Sequence, residues 1–169
     1  MENEVEIRRL VPTDDLRELT ELLHRSYKQL ADMGFRFLAT HQDAETTRER
    51  ANSGECFVGC KDGRLVATLT FYDAEHTQGC SWYDRPEVAS FGQFAVEPSL
   101  QRSGIGSRLI ELAEGRALET RAAELALDTA EGATHLIALY ERRGYRLVGS
   151  ADWGETNYRS VILSKRLIA

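Results

Sequence analysis

One segment constrains this chain more than any other: Phe94-Ala95-Val96-Glu97-Pro98-Ser99-Leu100-Gln101-Arg102-Ser103-Gly104-Ile105-Gly106-Ser107. An extended apolar run ends at Val96, and Pro98 closes it, because proline cannot extend a strand ladder. Two glycines then open a run that sets Ile105, Leu109, Leu112, Ala113, Ala117 and Leu118 on one helical face. At such a turn the first N–H groups of the helix are free and the positive end of its dipole is exposed, which suits a phosphate. Gly104 and Gly106 carry no side chain, so a ligand can approach the backbone closely. Arg102 and Arg108 could add charge. Three readings stay open at this point. A Walker loop needs a lysine after its last glycine, and none follows here. A dinucleotide fingerprint needs a third glycine three residues past Gly106, where Leu109 stands. The third reading is a turn that only joins a strand to a helix.

The rest of the chain supplies a mixed set of elements. Residues 4–10 alternate as a strand. Thr13-Asp14-Asp15 offers N-cap chemistry before Leu16, Leu19, Leu22, Leu23, Tyr27 and Leu30, whose spacing describes one apolar helix face ending near Gly34. Residues 35–44 look irregular and 45–53 form a short charged helix. Two strands, 56–61 and 64–72, are joined by Asp62-Gly63, a strong hairpin signal. Residues 74–86 read as a loop and 87–96 as a strand. After the helix over 104–119 come a strand at 124–128, a helix at 134–143 capped by Thr134 and closed by Gly144, and strands at 145–149 and 158–167. The predicted fold is therefore mixed α/β (α+β), a mostly antiparallel central sheet of about seven strands flanked by helices.

At 169 residues and 19.0 kDa a single domain, 1–169, is expected. The net charge of −6 argues against a nucleic-acid partner, since general binders of nucleic acid are basic. No apolar run approaches the roughly 20 residues of a membrane helix, and residues 1–15 lack the apolar core of a signal peptide. Cys56, Cys60 and Cys80 are too few, and odd in number, for a disulfide framework. They are expected to be reduced, in a cytoplasmic protein. Cys56 and Cys60 have no matching second pair, so no metal site is expected.

The glycine turn does not stand alone. Gln101–Gly106 spells Q-x-x-G-x-G, and a later helix carries Leu139-Tyr140-Glu141-Arg142-Arg143-Gly144-Tyr145. This pair, with the element order before it, resembles the GNAT-type N-acetyltransferases over nearly the whole chain. The resemblance implies acetyl-CoA as acyl donor, with its pyrophosphate on the backbone N–H groups of Arg102, Ser103, Gly104, Ile105, Gly106 and Ser107. Its pantetheine arm would pair like an extra strand with Phe94, Ala95 and Val96. A nearby backbone N–H would polarise the thioester carbonyl. Tyr140 matches the tyrosine that protonates or hydrogen-bonds the leaving thiolate. An unperturbed tyrosine, pKa about 10, is a weaker acid than a thiol at about 8.5, so full transfer is uphill by about 2 kcal/mol. A charge-assisted hydrogen bond avoids that cost. The competing reading of Tyr140 is a core aromatic packed with Leu136 and Leu139.

The pattern departs from the family in two places. Relatives often place a glutamate base on the central strand, four residues before its last valine. Here that position is Gly92, beside Gln93, and neither is a base. Asp73, Glu75, His76, Glu87 and Glu97 are the candidate replacements, although each also reads as surface charge. An asparagine that contacts the pantetheine in relatives is replaced by Ala133. Asp128 and Thr129 are weaker candidates on the cofactor side. Phe35, Phe37, Trp82, Tyr83 and Trp153 could wall an acceptor pocket or cover the core.

Charge divides unevenly along the chain. Residues 1–100 hold 11 Lys+Arg against 18 Asp+Glu, and residues 101–169 hold 10 against 9. The acidic half should supply most of the acceptor side, which points to a small cationic amine. The leading expectation is direct acetyl transfer to a primary amine of a small molecule, with no covalent acyl-enzyme. Alternatives are acetylation of a protein N-terminus or lysine, and a non-catalytic acyl-CoA-binding module, motivated by Gly92. An exposed edge strand near 158–167 would allow a homodimer.

Overall fold

Asp62 and Gly63 both take positive φ, 52° and 76°, as a two-residue type I′ turn requires. The flanking runs therefore fold back on each other as β2 (Glu55–Lys61) and β3 (Arg64–Tyr72). The computed structural model describes residues 4–154 and 156–167. The remaining elements are β1 (Glu6–Arg9), α1 (Leu16–Asp32), α2 (Ala44–Asn52), β4 (Val88–Val96), α3 (Ile105–Glu119), β5 (Glu124–Ala130), α4 (Thr134–Glu141), β6 (Arg146–Ala151) and β7 (Ser160–Arg166). Asp15 and Asp43 cap α1 and α2, each accepting a backbone N–H at 2.8 Å. Asp14 instead accepts both guanidinium arms of Arg8, tying the start of α1 to β1.

All seven strands form one sheet in the order β1-β2-β3-β4-β5-β7-β6. Among the described strands only β4 and β5 run parallel. Alternation splits their side chains between two layers. Leu19, Leu22 and Leu23 of α1 cover Cys56, Val58 and Leu65 on one face. Leu109, Ala113 and Ala117 of α3 cover Phe57, Leu69, Phe71, Leu125 and Leu163 on the other.

Two irregularities of β4 position the site. Thr68 pairs with Ala95 but Thr70 pairs with Gly92, so β4 carries one extra residue. Gln93, at φ 47°, marks this bulge. The insertion reverses the parity of the strand. Ala89 and Phe91 face the α3 layer before it, and Phe94 and Val96 face that layer after it, while Ala95 turns to α1. The second irregularity is a splay. β4 and β5 pair only from Val88–Ser90 to Glu124–Ala126, so their C-terminal halves diverge and leave a gap in the sheet.

The last strand corrects one expectation. β7 lies between β5 and β6, with register on both sides, so it offers no free edge for a second copy. Residues Ser160–Ser164 are all buried, a pattern that suits an interior strand and not an edge. Thr134 also differs from expectation: α4 begins there, Ala133 occupies the cap position, and no side chain caps it.

Candidate active site

The gap between the splayed strands opens into a cleft of about 300 Å³. Its floor comes from Phe91, Gly92, Gln93 and Phe94 of β4 and from Leu127 and Asp128 of β5. Tyr27 of α1, Arg50 of α2 and Tyr140 of α4 enter from the helices, and Phe37, Trp153 and Tyr158 close the sides. Phe37 and Tyr158 stack with ring centroids 4.8 Å apart.

The expected cofactor turn sits beside this cleft. Gly104 is the N-cap residue of α3 at φ 90°, with open space where a side chain would stand. Gly106 has a different reason to be glycine. A Cβ there would come 3.2 Å from Phe94 Cζ and 3.6 Å from Val96 Cγ2, so its absence lets α3 lie close on β4. No side chain caps α3, and its first internal bond runs from Arg108 N to Gly104 O. The N–H groups of Ile105, Gly106 and Ser107 thus have no partner within the helix. Arg102 and Ser103 are exposed, with Arg102 at φ 67°, and the Ser103 hydroxyl donates to Leu100 O. Gln101 folds back to donate to Val96 O at 3.2 Å. Arg143 donates to Ser107 Oγ at 2.9 Å, linking α4 to the turn. Arg108 points elsewhere and donates to Val5 O.

Alongside the turn, Ala95 and Val96 pair with β3 on one side, and Phe94–Val96 lie beyond the pairing with β5 on the other. The Phe94 carbonyl accepts the Tyr27 hydroxyl at 2.9 Å, and the Val96 carbonyl accepts Ser26 Oγ at 3.1 Å. These two carbonyls of the segment are therefore already engaged by α1.

Tyr140 is 7% exposed and is both core residue and cleft wall. Its ring packs edge-on to Phe91 and Tyr145 at 6.3 and 6.1 Å. Burial holds its hydroxyl far above the ordinary tyrosine value, a nearby Tyr27 adds to this, and Arg143 opposes it. The hydroxyl is thus protonated at neutral pH and able to donate a hydrogen bond.

In the cleft the structure brings forward a residue that sequence reasoning named as a weaker candidate on the cofactor side. Asp128 is open to water on the cleft side. Tyr83 donates to its Oδ1 at 2.9 Å and Trp153 Nε1 to its Oδ2 at 3.1 Å. Crowding by protein atoms on its other sides raises its carboxyl above the usual aspartate value, and the two donors only partly offset this. None of the five candidate replacements for the missing glutamate lines the cleft. Asp73 caps a turn and binds His76 at 2.7 Å, Glu97 pairs with Arg25 and Glu87 with Arg85, while Glu75 is exposed. Of the loop aromatics, Phe37 and Trp153 reach the cleft, Tyr83 lies under Asp128, and Trp82 stacks instead with Arg85.

Arg50 and Gln42 were not legible as site residues. Arg50 donates to Gln42 Oε1 at 2.7 Å, and Gln42 Nε2 donates to Gln93 Oε1 at 2.7 Å and to Thr47 Oγ1 at 2.8 Å. The only sequence signal was a polar residue that would prove buried, and spacing does not reveal that. Among the described residues, no group of three or more His, Cys, Asp or Glu could hold a metal ion, and no helix is long and apolar enough to cross a membrane.

Comparison with known proteins places this geometry. The model of the acetyltransferase (GNAT) family matches residues 16–145. The chain is 31% identical over 164 residues to the S-(2-succino)cysteine N-acetyltransferase of Bacillus subtilis (strain 168), covering 94% of each. In fold it is similar to PH1933 from Pyrococcus horikoshii OT3, with a TM-score of 0.74, 20% identity and coverage of 96% of this chain and 98% of that one. It is also similar to a GNAT family acetyltransferase from Elizabethkingia anophelis with acetyl-CoA bound, with a TM-score of 0.66, 15% identity and coverage of 96% and 97%.

Proposed function

Because the chain belongs to the acetyltransferase (GNAT) family, whose members use acetyl-CoA, we propose that it moves an acetyl group directly to the primary amine of a small molecule. The observation that carries this reading is a cleft lined by a buried tyrosine and a carboxylate, with an uncapped helix N-terminus packed against its Phe94 wall. The N–H groups of Gly104–Ser107 would hold the pyrophosphate of the donor. Tyr140 would donate a hydrogen bond to the departing thiolate without surrendering its proton, as its raised pKa favours. Asp128 would meet the acceptor as its ammonium ion and accept the proton that must leave before the nitrogen attacks. It answers the missing glutamate at Gly92, and it is the feature that supports an amine arriving as a cation.

The named substrate of the Bacillus subtilis relative makes S-(2-succino)cysteine the first acceptor to assay. The test is thiol release from acetyl-CoA across a panel of free amines, peptides with free N-termini and lysine peptides. Turnover is expected with one or more free amines, at least 10-fold above the peptides. Preference for peptides would make the chain a protein acetyltransferase. Acetyl-CoA binding without thiol release from any amine would make it a binding module.

A further inference from the structure

Resting on the N-acetyltransferase reading above, we propose that Arg50 is the seat of an acceptor carboxylate, so that this cleft selects amines that also carry a carboxylate group. The arginine enters the cleft wall from the last turn of α2. Its one side-chain hydrogen bond among the described residues goes to a neutral acceptor, Gln42 Oε1. Among the described residues seven other arginines have carboxylate partners, and those without one are exposed apart from Arg143, which bonds Ser107. Arg50 has none among the described residues. A half-buried guanidinium with unused donors, facing a cavity, is matched by an anion brought in from solution. Its planar fork fits a carboxylate in a two-point contact.

The arginine is also aimed. Gln42 is 3% exposed and every polar atom of it is engaged: its carbonyl by His24 at 2.7 Å, its amide by Thr47 and Gln93, and its Oε1 by Arg50. The Arg50 contact fixes which end of the Gln42 amide is oxygen, and that in turn fixes Gln93 with its Oε1 toward Gln42. Gln93 Nε2 is then left without a partner at the cleft wall, on a residue 2% exposed and held at positive φ by the bulge. A carboxylate seated on Arg50 brings an acceptor oxygen to this same wall. Asp128 supplies the opposite pole. The charged side chains lining the cleft, among the described residues, are one cation and one anion. Arg50 lies close enough that its charge favours the ionised form of Asp128. A zwitterionic amino acid satisfies both poles, whereas a simple polyamine leaves Arg50 unmatched.

The test compares S-(2-succino)cysteine with two neutralised forms, one with its cysteine α-carboxyl as the amide and one with its succinyl carboxyls as amides. The α-amide has the less basic amine and so more of it in the free, attacking form at neutral pH, so a large loss of kcat/KM on making it does not come from amine protonation. One of the two amides is expected to lose about 10- to 100-fold in kcat/KM, the range for a charged hydrogen-bonded contact, and which one it is tells which carboxylate Arg50 holds. Arg50→Gln should shrink that ratio to within about threefold, and Arg50→Lys should restore part of it. Acetyl-CoA affinity, measured by calorimetry, should stay within about twofold in both variants, showing an intact fold. Turnover of all three acceptors at similar kcat/KM, or a ratio that survives Arg50→Gln, overturns the carboxylate seat and leaves the acetyltransferase reading standing. No thiol release with any amine overturns both.

Discussion

At the scale of single residues, the account turns on how burial sets the chemistry of Tyr140 and Asp128. Both are pushed toward their protonated forms by burial, yet in the proposed reaction they would serve opposite ends. The tyrosine keeps a proton to offer, and the aspartate becomes a better acceptor for one. Tyr140→Phe removes only the hydroxyl from a packed ring. It is expected to lower kcat about 10- to 100-fold with acetyl-CoA affinity nearly unchanged, measured by steady-state kinetics and calorimetry. Unchanged turnover would remove Tyr140 from the reaction. Tyr140 was legible in the sequence because the residues around it repeat a family pattern. Arg50 and Gln42 were not, and Asp128 was named only as a cofactor-side candidate, since the place of all three around the cleft arises from a gap between strands that pair over only three positions. No spacing along the chain encodes where two strands part.

At the scale of elements, the hairpin, the four α-helices and the seven strands of the described residues were readable, because turn chemistry and apolar period agree at most of them. The order of the last two strands in the sheet was not. Periodicity says that a segment is a strand, but its neighbours follow from the return path of the chain. The turn before α3 carries a prediction of its own. Gly104→Ala and Gly104→Asp share the strain of a positive φ, about 1–2 kcal/mol, while only the aspartate places a negative charge before the free N–H groups. Acetyl-CoA binding should weaken at least 10-fold more in Gly104→Asp than in Gly104→Ala. Equal affinities would move the pyrophosphate elsewhere. A second prediction concerns the tie between β1 and α1. Arg8 holds the Asp14 carboxyl below its usual range, against the opposing effect of burial. A carboxyl whose pKa is lowered on folding stabilises the fold above its unfolded value, near 3.8, and that stability is lost as pH falls through the folded value. Asp14→Asn should therefore cost about 1.5 kcal/mol at pH 7, with the difference from the parent vanishing in strong acid. A difference independent of pH would assign the effect to packing.

At the scale of the whole molecule, the net charge of −6 says less about the acceptor than the two charges that line the cleft. Arg116 and Arg25 pair with Glu55 and Glu97 of the acidic half, and among the described residues no carboxylate of that half lines the cleft. The sheet carries its free edges at β1 and β6, and the gap between β4 and β5 is its one interior opening among the described strands. On the proposed reading donor and acceptor meet in that gap at the same time, which is the central claim. Mass analysis of the protein and the small molecules after mixing with acetyl-CoA tests it most directly. The account predicts an unmodified protein when no amine is present, and N-acetylated amine with one thiol released per product when S-(2-succino)cysteine is added. An acetyl group left on the chain before the amine arrives would contradict direct transfer.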